Sequence, residues 1–353
     1  MQINHIKHIQ KKKAHGKLKQ LYKHIELNFG KLAEPFVLHS LNVELTASVW
    51  ATLCETVLVE GKVKRSLKEA IATSISETNK CNYCVDAHSI MVFGTEKDLL
   101  NTITRISNGK TKPITREDKI ILWALKNLDF ENPIIQKPPF NKEEAPEIIG
   151  TAVLFHYLNR MVTLFAGDSP LPSVKMKSVL INIVSRFVFA KAIKKKKTAG
   201  ESLMFIDESN SRKGFDWAIS NPNINEAFQY FKYQTENRIE QVLSPELISL
   251  LKQQSTNLHL LKPGFGNEKI KNFLKTVKPS EKQIAEFCFL IMFEPYKVHE
   301  KHFLALKLKF NDGQILQVAS FASCLIAESI GERLFEMIRT TAKQYNDNLN
   351  LTI

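Results

Sequence analysis

Glycine and proline are scarce, thirteen of each in 353 residues, and alternating apolar and polar runs of strand length are almost missing. These shortages exclude a turn-rich all-β fold and favour long helices. Cysteine is sparse too: five in so long a chain do not make a disulfide framework, although two of them stand three residues apart. No run of about 18 uncharged apolar residues occurs, and the start Met1-Gln2-Ile3-Asn4-His5 lacks the apolar core of a signal peptide. The expectation is a soluble, cytoplasmic protein without a transmembrane segment. With 44% hydrophobic and 24% charged residues, disordered, collagen-like and coiled-coil chains are excluded, and the length suits two domains that each bury a core.

Acidic residues are missing from the first 24 positions, where Lys7, Lys11, Lys12, Lys13, Lys17, Lys19 and Lys23 gather. Lys191 and Lys194 to Lys197 make a second basic run, so two short segments carry almost all of the net charge of +13. The remainder is nearly neutral and lacks the basic face of a specific nucleic-acid binder. Ile3, Ile6, Ile9, Leu18, Leu21 and Ile25 recur at mostly helical spacing, which suggests an amphipathic arm, lying either on an anionic surface or against its own protein. Lys194 to Lys197 are expected to close a helix, where cations suit the C-terminal dipole.

Apolar positions at i, i+3, i+4 and i+7 predict helices over 43–59, 66–77, 80–93, 116–128 and 145–166. Gly61, Gly94, Asn108-Gly109, the stretch from Asn132-Pro133 to Pro138-Pro139 and Pro170-Leu171-Pro172 punctuate them. A long apolar helix over 174–193 leads to Thr198-Ala199-Gly200-Glu201, the best candidate boundary. Further helices are predicted over 224–240, 245–257, 267–275, 280–293, 298–308 and 312–342. The fold class read from this pattern is all-α, two helical bundles joined by a helix and linker.

The chemistry is concentrated between Ser66 and His88. If Thr78 or Asn79 caps a helix, Cys81 lies in its first turn, Cys84 follows at i+3 and His88 stands four residues beyond Cys84, so all three share one face. Two thiols in Cys-x-x-Cys at a helix start can close a disulfide with little strain, and the positive helix end lowers the first thiol's pKa. His88 can take a thiol proton or return it to a leaving group. Glu69 completes a carboxylate, imidazole and thiol relay if its helix packs antiparallel beside the next. Other readings stand beside this one. Ser66-x-x-Glu69 is also a capping box, and His88 on an apolar face also reads as a core histidine. Cys81, Cys84 and His88 could hold zinc with Cys54 as a fourth ligand, but no second close ligand pair exists, and neither a metal nor a cofactor is expected.

Glu-x11-Cys-x2-Cys-x3-His, with Asn79 two residues before the first Cys and an apolar helix ahead of it, resembles the alkylhydroperoxidase D branch of the carboxymuconolactone decarboxylase family. Glu69, Cys81, Cys84 and His88 match the four functional positions of that motif. Leu154-Phe155-His156-Tyr157-Leu158-Asn159-Arg160 is similar to the Asn-Arg helix ending of the peroxidase-related subgroup, and the likeness covers about residues 30–170. It implies two alkylhydroperoxidase D-like bundles and a cofactor-free thiol site. The implied activity is antioxidant peroxide or disulfide reduction, fed by an external dithiol such as a lipoyl or thioredoxin-like protein. Relatives with one domain generally associate; a fused second copy can supply such a face within one chain, and a homo-oligomer is the other arrangement the resemblance allows. Alkylhydroperoxidase D itself often carries His before the second Cys, where this chain has Tyr83. Decarboxylase members lack the Cys pair, so lactone decarboxylation is the weaker inheritance.

A shift of 214 residues lays Ser66-Leu67-Lys68-Glu69 on Ser280-Glu281-Lys282-Gln283 and His88 on His302, with Pro295 under Cys81 and Val298 under Cys84. The segment from Ala322 to Arg333 has the texture of the helix ending at Asn159-Arg160. The expected layout is a basic arm at 1–27, a redox-active domain at 28–170, a connecting helix and linker at 171–200, and a degenerate repeat without the Cys pair at 201–345. A thiol oxidoreductase acting on hydroperoxides or disulfides is the leading functional expectation. The alternatives are a redox-responsive binding protein that uses the same disulfide as a switch, and a metal-stabilised helical module.

Overall fold

A computed structural model describes residues 2–110, 112–167, 195–207, 214–261 and 267–350, with backbone alone at 267 and 341–350. The helix expected over 174–193, Pro170-Leu171-Pro172, Lys191 and Lys194 lie outside these residues. The protein is all-α. Among the described residues the sole strand-like pairing is an isolated bridge between Ile3 and Ala166. The longer helices are α1 (Gly16–Phe29), α2 (Val43–Leu53), α3 (Arg65–Thr78), α4 (Asn82–Thr95), α5 (Lys97–Ser107), α6 (Arg116–Leu125) and α7 (Ala145–Phe165) in the first half. The second half supplies α8 (Pro222–Glu236), α9 (Pro245–Ser255), α10 (Asn267–Lys275), α11 (Lys282–Phe293), α12 (Glu300–Lys307) and α13 (Asp312–Asn350).

Two central helices organise the packing. Nearly every side chain of α7 is buried, and its length runs against α13 while α2 lies against α8. Gly331 marks the closest approach: a Cβ there would fall 2.4 Å from Val153 Cγ2, so only glycine lets α13 come this near to α7. One continuous apolar core therefore passes through both halves. Helix α7 and the stretch Asp312–Thr340 are long and apolar enough to cross a membrane by length and composition, but 94% and 78% of their most apolar windows are buried within the protein. Arg160, also buried, stitches the same seam. Its Nε donates to the Ile291 and Met292 carbonyls at 3.1 and 3.2 Å, and its Nη2 donates to Met292 at 2.9 Å. These acceptors are end carbonyls of α11, which have no partner within their own helix. On the other side, Glu55 accepts the Gly200 amide at 2.8 Å and the Ser202 hydroxyl at 2.6 Å, pinning the expected boundary segment to the first half.

The arm differs from a helix running from Ile3. Residues 4–10 are irregular, a single 3-10 turn spans Lys11–Lys13, and α1 starts only at Gly16. Tertiary bonds take up the early backbone: Asn4 N–H donates to Phe165 O at 2.8 Å, and Ile9 N–H to Ser40 Oγ at 2.8 Å. The buried face of α1, Leu18, Leu21, Tyr22, Ile25 and Phe29, lies on the protein's own core. Helix α5 is an element the sequence pattern does not predict, although Leu99, Ile103 and Ile106 form its buried stripe at helical spacing. Lys195, Lys196 and Lys197 are outside any helix.

Candidate functional site

Helices α3 and α4 form an antiparallel hairpin whose turn is built by residues 79–81. Asn79 closes α3, and Lys80 takes a left-handed conformation with φ of 57°. Lys80 N–H donates to Glu77 O at 3.1 Å and Cys81 N–H to Ser76 O at 2.9 Å, the paired bonds of a Schellman ending. Cys81 is then the N-cap of α4, and Cys84 stands in its first turn. The helix thus begins later than a Thr78 or Asn79 cap would require, because those residues finish the preceding helix. Asn79 is held in place by a buried chain: its Nδ2 donates to His156 Nδ1 at 3.1 Å, and His156 Nε2 donates to Asn127 Oδ1 at 2.6 Å. Burial, reinforced by the charge of Arg160, pushes the His156 pKa well down and keeps this imidazole neutral.

Glu69 precedes the turn by about as many residues as His88 follows it, so the antiparallel hairpin sets them side by side. His88 Nδ1 lies 2.7 Å from Glu69 Oε2. Arg65 Nε reaches Glu69 Oε1 at 3.4 Å, and the His88 ring meets Phe155 edge-on at 4.6 Å between centroids. Burial raises the Glu69 pKa, but the hydrogen bond and charge of His88, followed by those of Arg65, outweigh it and hold the carboxyl below its usual range. An ionised Glu69 accepts from Nδ1–H, which leaves Nε2 as the ring atom free to carry a proton to or from a substrate. The capping-box alternative for Glu69 is not realised. Lys64 is the N-cap of α3 with no side-chain cap, and Ser66 Oγ instead donates to Glu96 Oε2 at 2.8 Å.

Cys81 and Cys84 are free thiols, each 3% exposed, in a small apolar cluster with Tyr83 and Val162 that is separate from the main core. Ala87 and Ala166 pack against this cluster. Burial, then the hydrogen bond and charge of Cys81, pushes the Cys84 thiol well up, so Cys84 is protonated at rest. Tyr83 directs its hydroxyl to Glu34 Oε2 at 2.6 Å, and burial followed by the Glu34 charge keeps the phenol neutral. The structure thus brings Glu69 to His88, and Cys81 to Cys84, on one hairpin. Cys54 is elsewhere, beside Glu55, Lys197 and Ser202. Among the described residues no group of three His, Cys, Asp or Glu side chains is arranged to hold a metal ion.

Sequence reasoning missed Arg65, Glu34 and the Val162 cover. Arg65 lies one turn before Glu69, and that i, i+4 spacing was a readable signal. Glu34 and Val162 are distant in sequence, and nothing local marks them.

No protein-family model matches the chain. A curated protein of Mycobacterium tuberculosis, named an alkyl hydroperoxide reductase, is 30% identical over 228 residues. The match covers 64% of this chain and 64% of that protein, so it spans less than two thirds of the relative's length.

Proposed function

We propose that this chain is an alkylhydroperoxidase D-like protein, a thiol oxidoreductase that reduces organic peroxides through Cys81 and Cys84. The observation that carries the reading is the 2.7 Å contact of His88 Nδ1 with the ionised Glu69, on the helix that carries Cys84 four residues earlier. Cys84 stands one helical turn before His88 and is held protonated by burial, so it is the thiol that needs a base. His88 Nε2 takes its proton, and the thiolate attacks one peroxide oxygen, breaking the O–O bond. The products are a Cys84 sulfenic acid and an alkoxide that leaves as the alcohol with the proton from His88. Cys81 sulfur then displaces the sulfenic oxygen as water and forms the Cys81 to Cys84 disulfide. An external dithiol, lipoyl or thioredoxin-like in chemistry, resets the pair by exchange and leaves as its own disulfide.

The test is a thiol count before and after one equivalent of hydroperoxide, with mapping of any bond by mass spectrometry. Loss of two thiols to a Cys81 to Cys84 bond supports the reading. A dominant bond to Cys54, or no loss of thiols, contradicts it.

Residues 201–345 are, in the same proposal, a degenerate copy of the redox domain. Its support is the helix pair α11 and α12, which follow one another as α3 and α4 do and lead to the long α13, although among the described residues nothing in the second half stands for α5 and α6. His302, aligned with His88, serves a local purpose: its Nδ1 accepts the His299 amide at 2.9 Å at the start of α12. Copies of the chain are expected to associate less readily than relatives with one domain, because α8 and α13 already cover the first half.

A further inference from the structure

At the start of α3, five cations among the described residues converge on one hollow of about 410 Å³. Lys64 and Arg65 enter it from the start of α3, while Lys195, Lys196 and Lys197 enter from the basic run before the boundary segment. Among the described residues of its lining, Glu60 alone bears a carboxylate. The positive end of a helix faces the hollow, the first turn of α3 contains no acid, and the N-cap residue is itself a lysine with no side-chain cap. Two of the five are buried, Arg65 and Lys197 at 5% and 9% exposure, so they are not dispersed into solvent as an ordinary charged run would be. Burial, then the charges of Arg65 and Lys195, brings the Lys197 pKa down to about 8.

We propose that this hollow binds a small polyvalent anion bearing phosphate groups. A helix start suits phosphate oxygens, and lysines and an arginine around the hollow can supply charge-assisted hydrogen bonds to them. The volume lies in the lower part of the range for small-molecule sites, roughly 300 to 1,000 Å³, and exceeds the needs of one inorganic phosphate. A diphosphate or a phosphorylated small organic molecule fits the charge and the space, with Leu58 giving an apolar wall. This inference is independent of the thiol chemistry, although Arg65 also contacts Glu69 and so connects the two sites.

Calorimetric titration of the full-length chain with inorganic pyrophosphate at low salt is the test. Saturable binding of one equivalent is expected, together with a rise in the melting temperature of the wild type. Lys64→Gln with Lys196→Gln, both exposed positions, should weaken binding at least ten-fold. Lys12→Gln with Lys13→Gln, in the other basic run, should leave it unchanged. No saturable binding, an equal loss in both double variants, or binding to phosphatidylglycerol vesicles in place of pyrophosphate would overturn the proposal.

Discussion

His88 and Glu69 meet at 2.7 Å in a site from which water is nearly excluded, and the carboxylate is held ionised by the imidazole and by Arg65. A pair of this kind orients a general base, so the two residues should separate in a mutational test. His88→Ala removes the base and should slow peroxide turnover by about 100-fold or more. Glu69→Gln keeps the shape and loses the charge, and should slow thiol alkylation near neutral pH. If Glu69→Gln lowers the melting temperature while alkylation is unchanged, Glu69 has no part in the relay.

The same pair fixes a pH dependence. The Glu69 carboxyl has a folded-state pKa below its ordinary value of 4.5. Its stabilising contribution is therefore complete above that ordinary value and is lost as pH falls through the lower, folded one. The stabilities of wild type and Glu69→Gln, measured by chemical unfolding, should converge as pH is lowered progressively below the ordinary carboxyl value. Parallel curves would show that Glu69 contributes nothing through its charge.

Lys80 holds a left-handed conformation that costs a side-chain-bearing residue about 1 to 2 kcal/mol. Glycine meets no such strain but loses more entropy on folding. Lys80→Gly should consequently raise stability by up to about 1 kcal/mol while the spacing of Cys81 and Cys84 is kept. Urea unfolding checks the first part and disulfide mapping the second.

The hairpin and its residues were legible in the sequence because their determinants are local: a cysteine pair at a helix start, a histidine one turn on, and a glutamate the right distance upstream. What excluded the capping box was not local. The cap of α3 falls on Lys64, and Ser66 is drawn away by Glu96, a partner 30 residues distant that spacing does not disclose. The N-terminal arm failed as a helix for a similar reason, since its backbone is claimed by Phe165 and Ser40. The basic run at Lys195–Lys197 suggested a helix end in sequence, and only the fold shows it facing Lys64 and Arg65.

Arg160 and Gly331 test the seam between the halves. Arg160→Leu would leave the Ile291 and Met292 carbonyls without their donor, a loss of about 2 to 4 kcal/mol, and lysine should restore only part because one ammonium cannot repeat a forked guanidinium. Gly331→Ala gains up to about 1 kcal/mol in helix propensity. It must also fit a methyl 2.4 Å from Val153, an overpacking that costs about 1 to 3 kcal/mol, so a net loss is expected. Excising residues 200–353 should expose the α7 and α2 faces and cause aggregation. A monomeric, fully active fragment would show that the second half is dispensable.

Cys288 and Cys324 are buried in the second half, and burial pushes both thiols up. Replacing both with serine should leave turnover unchanged. Loss of activity in a variant that still folds would place redox work outside the Cys81 and Cys84 pair.

The most direct measurement is the consumption of an organic hydroperoxide, such as cumene hydroperoxide, by a small amount of full-length protein with a dithiol reductant in excess. Wild type should consume many equivalents per chain, and Cys84→Ser should consume none above background. Consumption that stops at one equivalent, or that is the same in Cys84→Ser, would contradict thiol-based peroxide reduction by this protein.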